Sequence, residues 1–453
     1  MKRQATGVTE ATGTVTAPPP RSRRALVAGS VGNFIEWYEF GVYGYFATII
    51  AAHFFSPGGE GGAEALVRTY ASFALAFFFR PLGAALFGRF GDRAGRRPAL
   101  VLAVLLMTGA TTLIGLLPTY ATLGATAPWL LTLLRVVQGL SAGGEFGGAV
   151  SVMTEFAPPG RRGLYGAWQS FTVALGLLGG AGVAALLAAL LSSGQLHAWG
   201  WRLPFLLTLP MGLAALWLRL RLEETPSFRG ERRGADASPA APPVASPAAP
   251  PVAPAREAVR AVALGAGRLM GWSAAGYTFL VVLPSYLQTT LNATFQQALT
   301  ATVLANLGFA AAILPAGALS DRVGRRTVMV AGAVLAVLLA FPLLDLLQDP
   351  AAPTAAKGLA VVAAGAVVGL MAGPGPAMLA EMFRTHVRYT GLGLAYALSN
   401  AVFSGCAGLL ITEAVERTGD IDIPAYYVAA TCAVSALALA TLRGDDHRRA
   451  LRD

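Results

Sequence analysis

Gly88-Arg89-Phe90-Gly91-Asp92-Arg93-Ala94-Gly95-Arg96-Arg97 is a short basic stretch between two long apolar runs. It has an echo in Gly317-Ala318-Leu319-Ser320-Asp321-Arg322-Val323-Gly324-Arg325-Arg326. Both stretches read G-x-x-x-D-R-x-G-R-R, and their aspartates lie 229 residues apart in a chain of 453. A charged turn set at the same point of each half is the mark of a duplication. A second pair agrees: Glu155 followed by Arg162 is repeated by Glu381 followed by Arg388, 226 residues on. Halves of the same orientation are parallel repeats, and a binding site is expected at their interface near the membrane midplane.

The membrane itself is read from composition. Only 13% of the residues are charged and 55% are hydrophobic, whereas soluble domains carry about 25% charged residues. Apolar runs of about 20 residues recur along the chain, as spanning helices require. Barrel strands would alternate apolar and polar residues, and these runs do not. The fold expected is an all-α membrane protein with twelve transmembrane helices in two six-helix bundles, at residues 25–221 and 257–443. Around them we expect a disordered cytoplasmic tail at 1–24, a cytoplasmic Pro/Ala-rich linker at 222–256 and a second cytoplasmic tail at 444–453. The net charge of +10 comes mainly from arginines in alternate connections. That is the positive-inside pattern, with both termini cytoplasmic, rather than a nucleic-acid-binding face. Cys406 and Cys432 lie in apolar runs and imply no disulfide framework. The four histidines are scattered, and neither a metalloprotease motif nor a phosphate-binding loop is present. No enzyme, cofactor or metal is therefore expected, and energy must come from a gradient.

Charges inside the apolar runs point to function. Each costs roughly 2.5–3.5 kcal/mol at the bilayer centre and normally faces a partner or a cavity. Glu36 and Glu39 lie roughly 16 and 21 Å into the first span by helical rise, and their i, i+3 spacing puts them on one face. Arg80, Arg135 and Arg268 lie at comparable depth in the second, fourth and seventh spans, and Glu145 lies nearer the end of the fourth. The plain alternative is a set of ion pairs that only fixes packing. The combination instead suggests a charged cavity, with the three arginines gripping an anion. Glu36, Glu39 and Glu145 are then the proton carriers, since an arriving substrate changes what a neighbouring arginine does to their proton affinity. Tyr38, Tyr43, Gln138 and Gln169 are expected to shape the site from the first half, and Tyr277, Tyr396 and Asn400 from the second.

The two basic stretches resemble the loop motif of the major facilitator superfamily at every position. Further residues resemble its metabolite:proton symporter branch. They are Gly32-Asn33-Phe34-Ile35-Glu36-Trp37-Tyr38-Glu39-Phe40, Phe79-Arg80-Pro81-Leu82-Gly83, Arg135-Val136-Val137-Gln138-Gly139 through Glu145, and Trp199-Gly200-Trp201-Arg202-Leu203-Pro204-Phe205. The resemblance implies alternating access and proton-coupled uptake by a monomer across a bacterial inner membrane. Within that branch the chain looks most similar to citrate, tricarballylate and 2-oxoglutarate carriers. The partners expected are therefore a di- or tricarboxylate, a proton and the lipid bilayer. The branch usually has Asp where this chain has Glu39. A zwitterion such as proline or betaine is the alternative substrate, placed second because the long C-terminal coiled coil of osmosensory members is missing after Arg443. A membrane receptor that binds without transporting is the alternative of another class. A cytoplasmic gate is expected from Gly88, Asp92, Arg93, Gly95, Arg96, Glu155 and Arg162 in the first half. Gly317, Asp321, Arg322, Gly324, Arg325, Glu381 and Arg388 supply its second half, and the gate is expected to hold an outward-facing state.

Overall fold

The computed structural model describes residues 20–57, 62–94, 96–143, 157–220, 255–383 and 385–444, together with 146, 150, 153 and 154. The first half holds α1 (Pro20–Tyr45, continued by Ala47–Ile50 and Ala51–Phe55), α2 (Ala63–Ala94), α3 (Arg96–Leu116), α4 (Thr126–Ala142), α5 (Arg162–Leu190) and α6 (Thr208–Leu220). The second holds α7 (Ala255–Tyr277, continued by Thr278–Val282 and Leu283–Thr289), α8 (Phe295–Val323) and α9 (Arg325–Gln348). It is completed by α10 (Thr354–Ala372, then Gly375–Met382), α11 (Thr385–Ser399, then Asn400–Gly405 and Ala407–Thr418) and α12 (Ile423–Ala440). These are the twelve helices expected. Helix α1 begins at Pro20, earlier than the expected end of the tail, because proline suits a first helical turn. Helix α7 begins at Ala255, inside the expected linker. The rest of that linker and the outer parts of both tails lie outside the described residues.

Nine helices among the described residues are long and apolar enough to cross a membrane. The three rods not among them are α1, α4 and α7, which carry Glu36 and Glu39, Arg135, and Arg268. From Ile35 to Ala52 α1 is almost wholly buried, as is α7 from Leu269 to Leu287. A rod walled in by other rods needs no lipid-facing stripe, so it can carry polar groups.

The duplication extends to atomic packing. A Cβ on Gly139 of α4 would lie 1.9 Å from the Ala76 carbonyl oxygen of α2, and one on Gly365 of α10 would lie 1.9 Å from the Ala305 oxygen of α8. Only glycine permits either approach. The first rod of each half also carries a π-helical segment, Ala51–Phe55 in α1 and Thr278–Val282 in α7. The halves meet along two seams, α5 against α8 and α2 against α11.

The basic stretches are not loops. Residues 317–323 are the last turns of α8, Gly324 alone makes the turn at φ 95°, and α9 starts at Arg325. In the first copy α2 runs to Ala94 and α3 starts at Arg96. The apolar periodicity stops before these helices do, which is why sequence reading ends them early. A left-handed φ is open to glycine at no steric cost.

Candidate functional site

The centre is built by α1, α2 and α4, with α7 and α11 closing it from the other half. On α1, Glu36 and Phe40 are one turn apart; on α2, Phe73, Phe77 and Arg80 share one face by the same spacing. Arg80 Nη2 lies 3.3 Å from Glu36 Oε1, and both side chains are buried. The Arg80 guanidinium sits 4.3 Å from the ring centre of Phe77 and 4.4 Å from that of Phe40, with Trp37 at 5.5 Å. Arg135 on α4 is wholly buried and lies 4.1 Å from the Tyr43 ring, 4.8 Å from Phe73 and 5.0 Å from Phe40. The two cations thus share the ring of Phe40. Such contacts are worth up to about 2 kcal/mol when desolvated. They let a guanidinium be buried while leaving some of its N–H groups uncommitted: Nε of both arginines and Nη2 of Arg135 make no hydrogen bond among the described residues. Arg135 is aimed by a relay, its Nη1 donating to Gln138 Oε1 at 2.6 Å and Gln138 Nε2 donating to Thr111 Oγ1 at 2.6 Å. Glu39 is fully buried and lies within electrostatic reach of Arg135.

From the second half, Tyr277 meets Phe77 edge-on at 5.4 Å and Trp37 at 6.2 Å. Its hydroxyl and the side-chain amide of Gln169 on α5 are buried with no hydrogen-bond partner among the described residues. Tyr396 on α11 stacks on Phe146 at 3.4 Å and neighbours Trp272 at 5.9 Å. Hence Glu36, Glu39, Arg80, Arg135, Tyr43, Gln138, Tyr277 and Tyr396 gather as expected from their depth.

Three expected site residues do not join them. Arg268 turns away, donating from Nη2 to Thr441 Oγ1 at 2.8 Å and from Nε to the Ala438 oxygen at 3.3 Å, at the end of α12. It met the depth criterion, but depth along α7 does not fix direction around its axis, and Arg268 faces a neighbouring helix terminus. Tyr38 donates to the Pro204 oxygen within the first half. Asn400 is used inside its own π-helical segment, donating to the Tyr396 oxygen and accepting from Ser404 Oγ. Glu145, Glu155 and Gly95 lie outside the described residues, as do the side chains of Asp92, Arg93 and Arg96. The aromatic partners Phe73 and Phe77 were missed; their i−7 and i−3 spacing from Arg80 was the available signal.

At the basic end, Asp321 of α8 accepts from the backbone N–H groups of Gly163 at 2.7 Å and Leu164 at 2.9 Å, the first turn of α5 in the other half. A carboxylate suits a helix N-terminus. Arg325 donates to the same Asp321 at 2.7 Å and pairs with Glu381 at 3.1 Å, and Arg162 reaches Glu381 at 3.4 Å. Arg388 is buried and donates to the Ala380 oxygen, while Arg322 is exposed and stays outside this network. The opposite end is joined too. Tyr70 and Ser285 share a 2.7 Å hydrogen bond, Thr48 donates to Gln288 at 3.1 Å, and Phe46 packs on Phe295. The halves touch on both sides of the centre, so the conformation is occluded rather than outward-facing as expected.

Two helical bundles enclosing a buried polar centre, closed at both ends, define a membrane transporter rather than an enzyme. The chain belongs to the major facilitator superfamily. Residues 25–241 match the family model described as sugar (and other) transporter, and residues 265–453 match that of the Major Facilitator Superfamily. It is 35% identical to the glycine betaine/proline/ectoine/pipecolic acid transporter of Dickeya dadantii strain 3937, over 90% of this chain and 80% of that one. It is 33% identical to the proline/betaine transporter of Escherichia coli strain K12, over 94% and 84%. It is also 36% identical to the alpha-ketoglutarate permease of the same strain, over 84% and 85%. A crystal structure of a D-xylose-proton symporter has the same fold, with a TM-score of 0.74 at 18% identity, covering 95% of this chain and 99% of the other.

Proposed function

We propose that this protein takes up a small zwitterion of the proline or betaine type together with a proton, by alternating access. The observation that carries the reading is the charge balance of the centre. With Arg268 elsewhere, two arginines face two carboxylates, Glu36 and Glu39, among aromatic rings in the described residues. A zwitterion adds no net charge to that set, whereas a dicarboxylate adds two negative charges to it. The substrate carboxylate takes the uncommitted N–H groups of Arg80 and displaces Glu36. Its ammonium end lies against the faces of Trp37 and Tyr277, where a quaternary nitrogen is attracted without needing a hydrogen bond. Glu36, released from Arg80, is then the group that carries the coupled proton. The names of the proline and betaine relatives support this order of substrates.

A second reading keeps the fold and the proton and makes the substrate a dicarboxylate. The alpha-ketoglutarate permease relative and the two guanidiniums around one ring favour it. Uptake into proteoliposomes under an imposed pH gradient separates the two. Saturable accumulation of glycine betaine or proline, uninhibited by 2-oxoglutarate and citrate, is expected. Saturable accumulation of 2-oxoglutarate with no effect of betaine would replace the first reading by the second.

We further infer from the arginine distribution that the basic end and both termini face the cytoplasm of a bacterial inner membrane, with two bundles joined by a linker at 222–254. The network of Asp321, Arg325, Glu381 and Arg162 is then the cytoplasmic latch.

A further inference from the structure

Two buried polar groups at the centre come from opposite halves and call for the same kind of ligand. Arg80 of α2 is buried, and its Nε makes no hydrogen bond among the described residues. Tyr277 of α7 is buried too, and its hydroxyl makes none either. A buried donor without a partner is costly and asks for an explanation. The Tyr277 ring is fixed by three aromatic neighbours of the first half, Phe77 edge-on at 5.4 Å, Phe73 at 6.0 Å and Trp37 at 6.2 Å. Phe73 and Phe77 belong to the helix of Arg80, and Phe77 also holds the Arg80 guanidinium 4.3 Å from its ring centre. Of the charged groups around it, Arg80 acts most strongly on the Tyr277 hydroxyl, ahead of Glu36 and Arg135. Tyr277 is also the last residue before the π-helical Thr278–Val282, and such insertions are frequent at functional sites.

We propose that the Tyr277 hydroxyl is the second-half ligand of the substrate's carboxylate, donating to one oxygen while Arg80 donates to the other. The inference rests on the reading that Arg80 takes a carboxylate, which the zwitterion and the dicarboxylate share. A guanidinium only donates, so one ligand group that serves both Arg80 and a phenol O–H must accept from each. A carboxylate does so with its two oxygens, and hydrogen bonds to an ionised acceptor are about twice as strong as neutral ones. An ammonium has no lone pair to give, and an alcohol offers one uncharged oxygen. An analogue with an alcohol in place of the carboxylate therefore leaves buried donors unpaired, and a site built that way rejects it strongly. The same pairing ties α2 to α7. Farther along these two helices Tyr70 and Ser285 share a hydrogen bond, at the end opposite the basic stretches. A substrate held by both Arg80 and Tyr277 adds a second tie, so occupation of the centre favours the closed seam on that side. Tyr396 of α11 is the other second-half tyrosine within electrostatic reach of Arg80, and its ring lies stacked on Phe146.

Calorimetric binding of glycine betaine, proline and 2-oxoglutarate to the full-length protein tests this, followed by infrared spectroscopy of the bound probe labelled at its carboxyl carbon. Tyr277→Phe keeps the ring against Phe77 and Trp37 and removes only the hydroxyl. Affinity for whichever carboxylate binds the wild type should fall roughly tenfold to hundredfold, the worth of a hydrogen bond to a charged group. At saturating probe the carboxylate stretching bands should shift between the wild type and Tyr277→Phe, which a change of packing alone would not produce. Unchanged affinity, or lower affinity with unmoved carboxylate bands, overturns the proposal and leaves a carboxylate at Arg80 standing. A band shift found in Tyr396→Phe and not in Tyr277→Phe also overturns it. If none of the three probes binds the wild type, the reading of a carboxylate at Arg80 falls, and the proposal with it. Thermal unfolding of each variant confirms that the protein measured is folded.

Discussion

The proposed substrate centre and the proposed cytoplasmic latch are both buried clusters of arginine and carboxylate, yet they are built differently. In the latch each charge is met by another or by backbone N–H groups. Asp321 takes three donors, from Gly163, Leu164 and Arg325, and Glu381 takes two arginines. In the centre, Arg80 and Arg135 are held by ring faces and keep N–H groups without hydrogen bonds among the described residues. A fully bonded network resists change until the helices part. A cation held by rings can accept a new partner without losing its support. The difference fits the proposed roles, one cluster holding the protein closed and the other exchanging ligands.

The largest test of that contrast is at the centre. Arg80→Gln should lower uptake by about 100-fold or more, since it removes the carboxylate clamp and leaves Glu36 without its partner. Arg80→Lys should recover little, because a point charge lacks the fork. Uptake kinetics in proteoliposomes check both. At the latch, Asp321→Ala should slow turnover roughly tenfold to thirtyfold, for the loss of charge-assisted bonds, while calorimetric substrate affinity changes less than about twofold. A large loss of affinity there would mean that the two clusters are not separable. Gly163→Ala should act on the latch by shape alone, as the new Cβ would meet Arg325 Nη1 at 2.4 Å and the Gly317 oxygen at 2.5 Å. It should cost the closed seam about 1 kcal/mol or more, seen as faster thiol labelling of single cysteines at the basic end. The smallest effect is expected for Arg268→Gln. Thermal stability should fall by about 1 kcal/mol with substrate affinity unchanged, because its bonds serve the end of α12.

Much of the centre was legible because charge in an apolar run is costly and therefore rare. Glu36, Glu39, Arg80 and Arg135 could be picked out by depth alone, and all four converge. Arg268 met the same criterion and sits elsewhere, since depth along a helix says nothing of its direction around the axis. Phe73 and Phe77 were hidden for the opposite reason: among many apolar residues a phenylalanine carries no label until a cation is found beside it. The preference for a carboxylate substrate came from counting three arginines and from the resemblance to citrate and 2-oxoglutarate carriers. Removing one arginine from the centre weakens the first of these grounds.

The sequence by itself determined the membrane class, the twelve helices and the duplication. Each follows from hydropathy and from motifs repeated at a fixed interval, which are properties of the chain read in one dimension. It also marked Asp321, Arg325 and Glu381 as a cluster at one membrane face. Only the tertiary structure decided that the second basic stretch is a helix end hinged on Gly324, and that Asp321 bonds across the seam to the start of α5. These depend on which helices lie side by side and how each is turned about its axis. That is set by close approaches such as Gly139 against Ala76, contacts between residues far apart in the chain.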